Sequence, residues 1–186
     1  MRVFQTGGLA VRQLSAVDYP LLAKWLSDAS VLAFYEGRDN PYNLAQVEQV
    51  FGSKADRHVT SCIVNYDGTD IGYIQFYPVA ADEKEKLGLT MSKTIYGMDQ
   101  FIGDPSFWNR GLGTQLVTAM AQYLCQQLHA NQVVMDPQTW NTRAIRCYEK
   151  AGFHKIKQLP RHEWHEGEWR DCWLMSYPLE EGGEMP

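Results

Sequence analysis

The chain has 186 residues, 45% of them hydrophobic and 21% charged, with a formal net charge of -5. That length suits one domain with a sizeable core, and that composition excludes disorder as the main state. The acidic balance lacks the basic footprint of a nucleic-acid binder. No apolar run approaches the roughly 20 residues that cross a bilayer, and no signal-peptide pattern is seen at the start. Cys62, Cys125, Cys147 and Cys172 are far apart and fit no zinc spacing. The expectation is four reduced thiols in a soluble cytoplasmic protein, a monomer or homodimer with no nucleic-acid or membrane partner.

In chain order, residues 9–14 predict a first strand. Ser15 then caps a helix near 16–28, with Asp18 in its first turn and Trp25 and Leu26 toward the core. A second helix near 43–52 carries Leu44, Val47, Val50 and Phe51 at helical spacing. Residues 58–65 and 70–77 predict a hairpin around Asp67-Gly68. The charged stretch 82–86 predicts a loop. Residues 94–102 predict a strand, with Gly97 as a bulge or a close backbone approach. An amphipathic helix spans about 114–129, followed by a strand at 132–136. A helix follows at about 141–150, stopped by Gly152. Strands at 153–159 and 170–177 complete an α/β domain over 1–179, a mixed, mostly antiparallel sheet with helices on both faces. Residues 180–186 read as an acidic flexible tail.

Two motifs carry chemistry. The first is Arg110-Gly111-Leu112-Gly113-Thr114 at a helix start. Glycines let backbone amides face a ligand, a helix N-terminus favours a pyrophosphate, and Arg110 adds a charged donor. Such a loop is equally a tight turn when it stands alone. The second motif is Asn141-x-x-Ala144-x-x-x-Tyr148. Two helical turns put Asn141 and Tyr148 on one face, with the small Ala144 between them. Taken singly, the Asn is a helix cap and the Tyr is core packing.

Together, the loop and Asn-x-x-Ala-x-x-x-Tyr-x-x-x-Gly-Phe resemble the GCN5-related N-acetyltransferase (GNAT) superfamily. Trp108 stands where that family usually has Gln or Arg. Over about 97–153 the chain is similar to aminoglycoside 6′-N-acetyltransferases, and siderophore-precursor N-acyltransferases share much of the same core. The resemblance implies acetyl-CoA as co-substrate and a cationic small-molecule amine as acceptor. It implies that Gln100, Phe101, Ile102, Arg110, Gly111, Leu112, Gly113, Thr114, Asn141, Ala144 and Tyr148 hold the cofactor. It also implies Asp99 as base and amine anchor, Tyr148 as acid toward the leaving sulfur, and Asp136 as an acceptor contact.

The segment 161–171 combines carboxylates, two histidines and two tryptophans. It reads as a solvated hairpin loop, or as carboxylates and aromatic walls for a polyamine sugar, with Glu166 and, from the 35–39 loop, Glu36 contributing. A metal held by His162, His165 and Glu166 is a weaker alternative, and no metal is expected. A different acceptor (another amino sugar, a siderophore precursor) and a non-catalytic acyl-CoA-binding module are the competing readings.

Overall fold

The structure, a computed structural model, describes residues 1–53 and 58–177, so the expected tail at 180–186 lies outside the described residues. The chain divides into two compact units. Among the described residues, one comprises 1–53, 58–77, 99–113 and 165–168; the other comprises 78–98, 114–164 and 169–177.

The first unit opens with a strand absent from the expectations. β1 (Arg2–Thr6) pairs antiparallel with β2 (Leu9–Gln13) across Gly7-Gly8. Gly7 takes φ +55, the conformation such a turn requires. No β1 residue is buried, so no apolar alternation marked it. At Ser15 the backbone N–H and the hydroxyl both donate to the Asp18 carboxylate at 2.9 Å. A tight turn over Ala16–Asp18 then feeds α1 (Tyr19–Trp25). That helix stops short of the expected 28. Asp28 instead caps a separate short helix, α2 (Ala29–Leu32), accepting from the Ser30 N–H at 2.8 Å.

α3 (Leu44–Glu48) starts at Asn43 in a reciprocal capping box with Gln46. It widens into a π turn over Gln49–Ser53. Val47 is buried, whereas Leu44 and Val50 are exposed, so the apolar stripe is narrower than the spacing implied. β3 (Thr60–Tyr66) and β4 (Thr69–Pro78) form the expected hairpin, with Asp67 and Gly68 both at positive φ. The core of this unit joins Leu22, Trp25, Leu26, Val31, Val47, Ile63, Tyr73 and Phe101.

In the second unit the charged stretch is a helix and not the expected loop. α4 (Ala81–Leu87) has Asp82 and Glu83 in its first turn, Lys84 and Lys86 in its last, and Gly88 in the left-handed conformation as its stop. This order of charges complements the helix dipole, so the charges themselves were the helix signal. β5 (Ile95–Ile102) contributes to both units, and α5 (Leu112–Gln127) buries Leu116, Val117, Met120 and Leu124. β6 (Gln132–Met135) is buried throughout and leads to α6 (Thr142–Lys150).

β7 (His154–His165) and β8 (Glu168–Tyr177) are longer than expected. Their turn narrows to Glu166-Gly167, both at positive φ. The 161–171 segment is therefore mostly paired strand and not a loop. Its exposed polar side chains hid that pattern. A second core gathers Val79, Leu87, Ile95, Val134, Leu159, Cys172 and Leu174.

The strands form an eight-stranded sheet in the order β1-β2-β3-β4-β5-β6-β8-β7. β5 and β6 pair in parallel over Ile95–Gly97 and Gln132–Val134, with α5 in the crossover that such a pair needs. The β1–β2, β2–β3, β3–β4 and β6–β8 pairs are antiparallel. The sheet is mixed and mostly antiparallel, as the sequence implied. No helix among the described residues is long and apolar enough to cross a membrane.

Candidate active site

In the first unit the C-terminal half of β5 presents Asp99, Gln100, Phe101 and Ile102 in sequence. Alternation along a strand sends Phe101 and Asp99 to one face. Phe101 anchors the strand in the core. It stacks on Tyr73 at 5.6 Å, meets Trp25 edge-on at 6.1 Å and leans on Tyr35 at 4.7 Å. Burial pushes the Tyr35 and Tyr73 phenols well up, so both stay protonated. Asp99 is half-buried, and its Oδ2 accepts from Gln75 Nε2 at 2.9 Å.

Two glycines allow this strand to sit where it does. A Cβ on Gly72 would lie 2.4 Å from the Phe101 carbonyl oxygen, and one on Gly103 would lie 2.3 Å from the Trp25 ring. Both neighbours are held, one as backbone and one as a buried ring, so neither position has room for a side chain.

The loop after β5 is stapled to it. The Trp108 indole N–H donates to the Ile102 carbonyl at 2.8 Å, and its ring meets Phe34 edge-on. Trp108 thus has a structural task at the position where the resemblance favours Gln or Arg. Asn109 and Gly111 both take positive φ, which turns the chain into α5. A Cβ on Gly111 would meet nothing within 4 Å, so this glycine serves the backbone and open space lies beside it. Arg110 is exposed, with its guanidinium over the Phe107 ring at 5.1 Å. Leu112 is buried beneath the loop and Gly113 is half-buried. The first amides of an α-helix lack intrahelical acceptors. Here they follow a glycine turn and an exposed arginine, a donor set that fits a pyrophosphate.

In the second unit Thr114 donates to the Cys147 sulfur at 3.5 Å, tying the start of α5 to α6. Burial raises the Cys147 thiol, which stays protonated. Asn141 caps α6, its side-chain oxygen accepting from the Ala144 N–H at 3.2 Å. Tyr148, two turns on, is half-buried and tilts against the buried Phe153. Gly152 ends the helix at φ +94.

The remaining carboxylates divide by unit. Asp136, just past β6, has Oδ2 2.8 Å from His162 Nε2. That contact holds the His162 pKa above its ordinary value, against a smaller opposing effect of burial. Glu166 is engaged by Arg38, whose guanidinium forks onto both of its oxygens at 2.6 and 2.7 Å and whose backbone N–H adds a third bond. These contacts hold the Glu166 carboxyl down at about 2. Glu36, at positive φ, accepts from Asn40 and from the Tyr42 hydroxyl within its own loop. Among the described residues no group of three or more His, Cys, Asp or Glu side chains is placed to hold a metal.

The acetyltransferase (GNAT) domain family model matches residues 15–160. The chain belongs to the GNAT acetyltransferase family. This acetyltransferase is 30% identical over 149 residues to the aminoglycoside N(6′)-acetyltransferase type 1 of Klebsiella pneumoniae, covering 79% of this chain and 74% of that protein. Over 61 residues it is 43% identical to a kanamycin resistance protein of Rhizobium radiobacter, covering 33% of this chain and 56% of that protein. Its fold matches the crystal structure of aminoglycoside acetyltransferase AAC(6′)-Ib in complex with coenzyme A and kanamycin. The TM-score is 0.72 at 27% identity, covering 91% of this chain and 94% of that one.

Ser61, Tyr73 and Gln75 belong to no motif in the sequence, and His162 stands there only as a candidate metal ligand. Tyr73 and Gln75 share a strand face by their spacing of two, and Ser61 pairs with Gln75 across the hairpin. A bulge between Val64 and Asn65 shifts the register set by the Asp67-Gly68 turn, so counting back from that turn does not give this pairing.

Proposed function

We propose that this acetyltransferase moves an acetyl group from acetyl-CoA to a primary amine of an aminoglycoside, the 6′-amine. The extended similarity to the Klebsiella enzyme, over 79% of this chain, carries the reading of the acceptor. The family match runs through both compact units, which supports treating residues 1–179 as one acetyltransferase domain. Four free cysteines fit the cytoplasmic placement expected from the sequence.

In this reading Arg110, Gly111, Leu112, Gly113 and Thr114 hold the pyrophosphate through backbone amides and one guanidinium. Asn141, its oxygen fixed by the cap, presents its amide N–H groups to the pantetheine arm, which Ala144 leaves room for. Backbone N–H groups of Gln100, Phe101 and Ile102 hydrogen-bond carbonyl oxygens of the cofactor, including the one that gains charge during transfer.

Acetyl-CoA supplies an acetyl group activated as a thioester. Asp99 anchors the acceptor nitrogen by a charged hydrogen bond. A carboxylate of ordinary pKa near 4 is a poor base for a free ammonium. Asp99 therefore takes the proton as the new C–N bond forms, when that proton has become far more acidic. As the C–S bond breaks, the Tyr148 hydroxyl gives its proton to the sulfur. A phenol of pKa about 10 suits a thiolate of pKa about 8.5. Asp136, Glu36 and Glu166 supply further negative charge for a polycationic acceptor, which would share Asp136 with His162 and Glu166 with Arg38.

Thiol release from acetyl-CoA, measured across kanamycin, ribostamycin, spermidine and a peptide α-amine, tests the acceptor. Turnover with the aminoglycosides, giving a product heavier by one acetyl group, is expected. Turnover with spermidine or the peptide alone would reassign the acceptor. Failure to bind coenzyme A in a calorimetric titration would remove the site itself.

A further inference from the structure

Three side chains behind Asp99 form a directed hydrogen-bond chain. Ser61 Oγ lies 2.9 Å from the Tyr73 hydroxyl, the Tyr73 hydroxyl lies 2.7 Å from Gln75 Oε1, and Gln75 Nε2 lies 2.9 Å from Asp99 Oδ2. The proton positions follow from the chemistry of the groups. An ionised carboxylate only accepts, so Gln75 must turn its NH2 toward Asp99. Its carbonyl then faces Tyr73, whose single hydroxyl proton must go to it. Ser61 is left to donate to Tyr73. Reversing the amide would set oxygen against carboxylate.

The chain has one immobile member. The Tyr73 ring is fully buried, stacked on Phe101 and edge-on to Phe51 at 5.6 Å. Its hydroxyl therefore occupies one place. Gln75, a half-buried side chain with several rotatable bonds, would otherwise sample many rotamers. Asp99, Cys62 and Glu36 act on Tyr73, and Tyr73 and Asp99 both act on the neighbouring Tyr35 phenol.

We infer that Tyr73 and Gln75 are positioning residues for Asp99: Tyr73 fixes the Gln75 amide, and that amide orients the Asp99 carboxylate and favours its ionised form. This rests on the role proposed for Asp99. Phe101 then serves twice, carrying the strand that bears Asp99 and packing the ring that orients it. The arrangement uses only neutral donors, so it adds no competing charge beside the acceptor amine.

Steady-state kinetics against pH, with acetyl-CoA and kanamycin, test the inference in Tyr73→Phe, Gln75→Met and Asp99→Asn. Tyr73→Phe keeps the buried ring and removes only the hydroxyl. Its kcat should fall roughly tenfold, while the KM for acetyl-CoA stays within about twofold. The acid limb of its kcat/KM profile should move to higher pH, because a hydrogen bond to the charged form of Asp99 has been loosened. Gln75→Met should show the same shift more strongly, and Gln75→Asn should recover neither position nor rate. Circular dichroism and coenzyme A affinity should match the parent in each. Parental kcat and acid limb in both Tyr73→Phe and Gln75→Met, beside an inactive Asp99→Asn, would overturn the positioning role and leave Asp99 standing. A rise in kanamycin KM alone would overturn it too, making Gln75 a simple contact. An active Asp99→Asn would instead remove the reading beneath it.

Discussion

Asp99 and Asp136 are both carboxylates on or just past a strand of the sheet, and they are held in opposite ways. Asp99 takes its hydrogen bond from a neutral amide whose own partner is a buried phenol. Asp136 sits against an imidazole, half-exposed, with a partner that carries charge only at lower pH. In the first arrangement burial keeps the Tyr73 phenol protonated, so neither partner behind Asp99 changes charge near neutral pH. The second changes its charge with pH, and a cationic acceptor meeting Asp136 would compete with protonated His162. One chain thus holds a carboxylate with an uncharged partner and another whose partner changes charge with pH.

Replacing Asp99 offers the largest expected effect. Asp99→Asn should lower kcat by on the order of 10²–10⁴, the range for losing a positioned proton acceptor. Its affinity for coenzyme A, measured by calorimetry, should not change. Retained turnover would erase the distinction between the two carboxylates.

Next comes the rigidity behind Asp99. Gly103→Ala places a methyl group 2.3 Å from the Trp25 ring, which is only 2% exposed and has nowhere to move. Overpacking of this kind costs about 1–3 kcal/mol. Urea denaturation should show that loss. An unchanged midpoint would mean that the aromatic core yields, and that Asp99 is held less firmly than its surroundings suggest.

The smallest effect belongs to Asp136. The His162 pKa is raised in the folded chain, so its stabilisation is fully present below the unfolded value near 6.5 and is lost as pH rises through the folded value. Asp136→Asn should therefore cost stability at acid pH and nothing at alkaline pH. The half-exposed pair limits this to about 1 kcal/mol or less. Proton NMR should find the His162 titration shifted down in the variant. No shift would place the two side chains apart in solution.

Much of this was legible in the sequence, for identifiable reasons. The glycine loop, the α6 face and the Asp67-Gly68 hairpin are local, and their residues state their conformation directly. β1 escaped because none of its side chains is buried. α4 differs from the expected loop because a charge run looks like one until Asp82 and Glu83 in the first turn, Lys84 and Lys86 in the last and then Gly88 are compared with a helix dipole. The 161–171 segment escaped because its strand alternation is written in polar residues. Gln75 and Tyr73 were hidden for another reason. Their meaning depends on β4 lying beside Asp99, a contact between segments 24 residues apart in the chain.

The loop staple has one more consequence. Trp108 fastens the loop to Ile102 through an uncharged N–H, whereas Arg110, in the role proposed for it, would draw the pyrophosphate through its charge. Dissolved ions weaken only the second kind of attraction, screening it beyond roughly 10 Å at 0.1 M salt. Raising ionic strength should therefore raise the KM for acetyl-CoA while leaving kcat in place. The loop would keep its shape as its electrostatic reach shrinks.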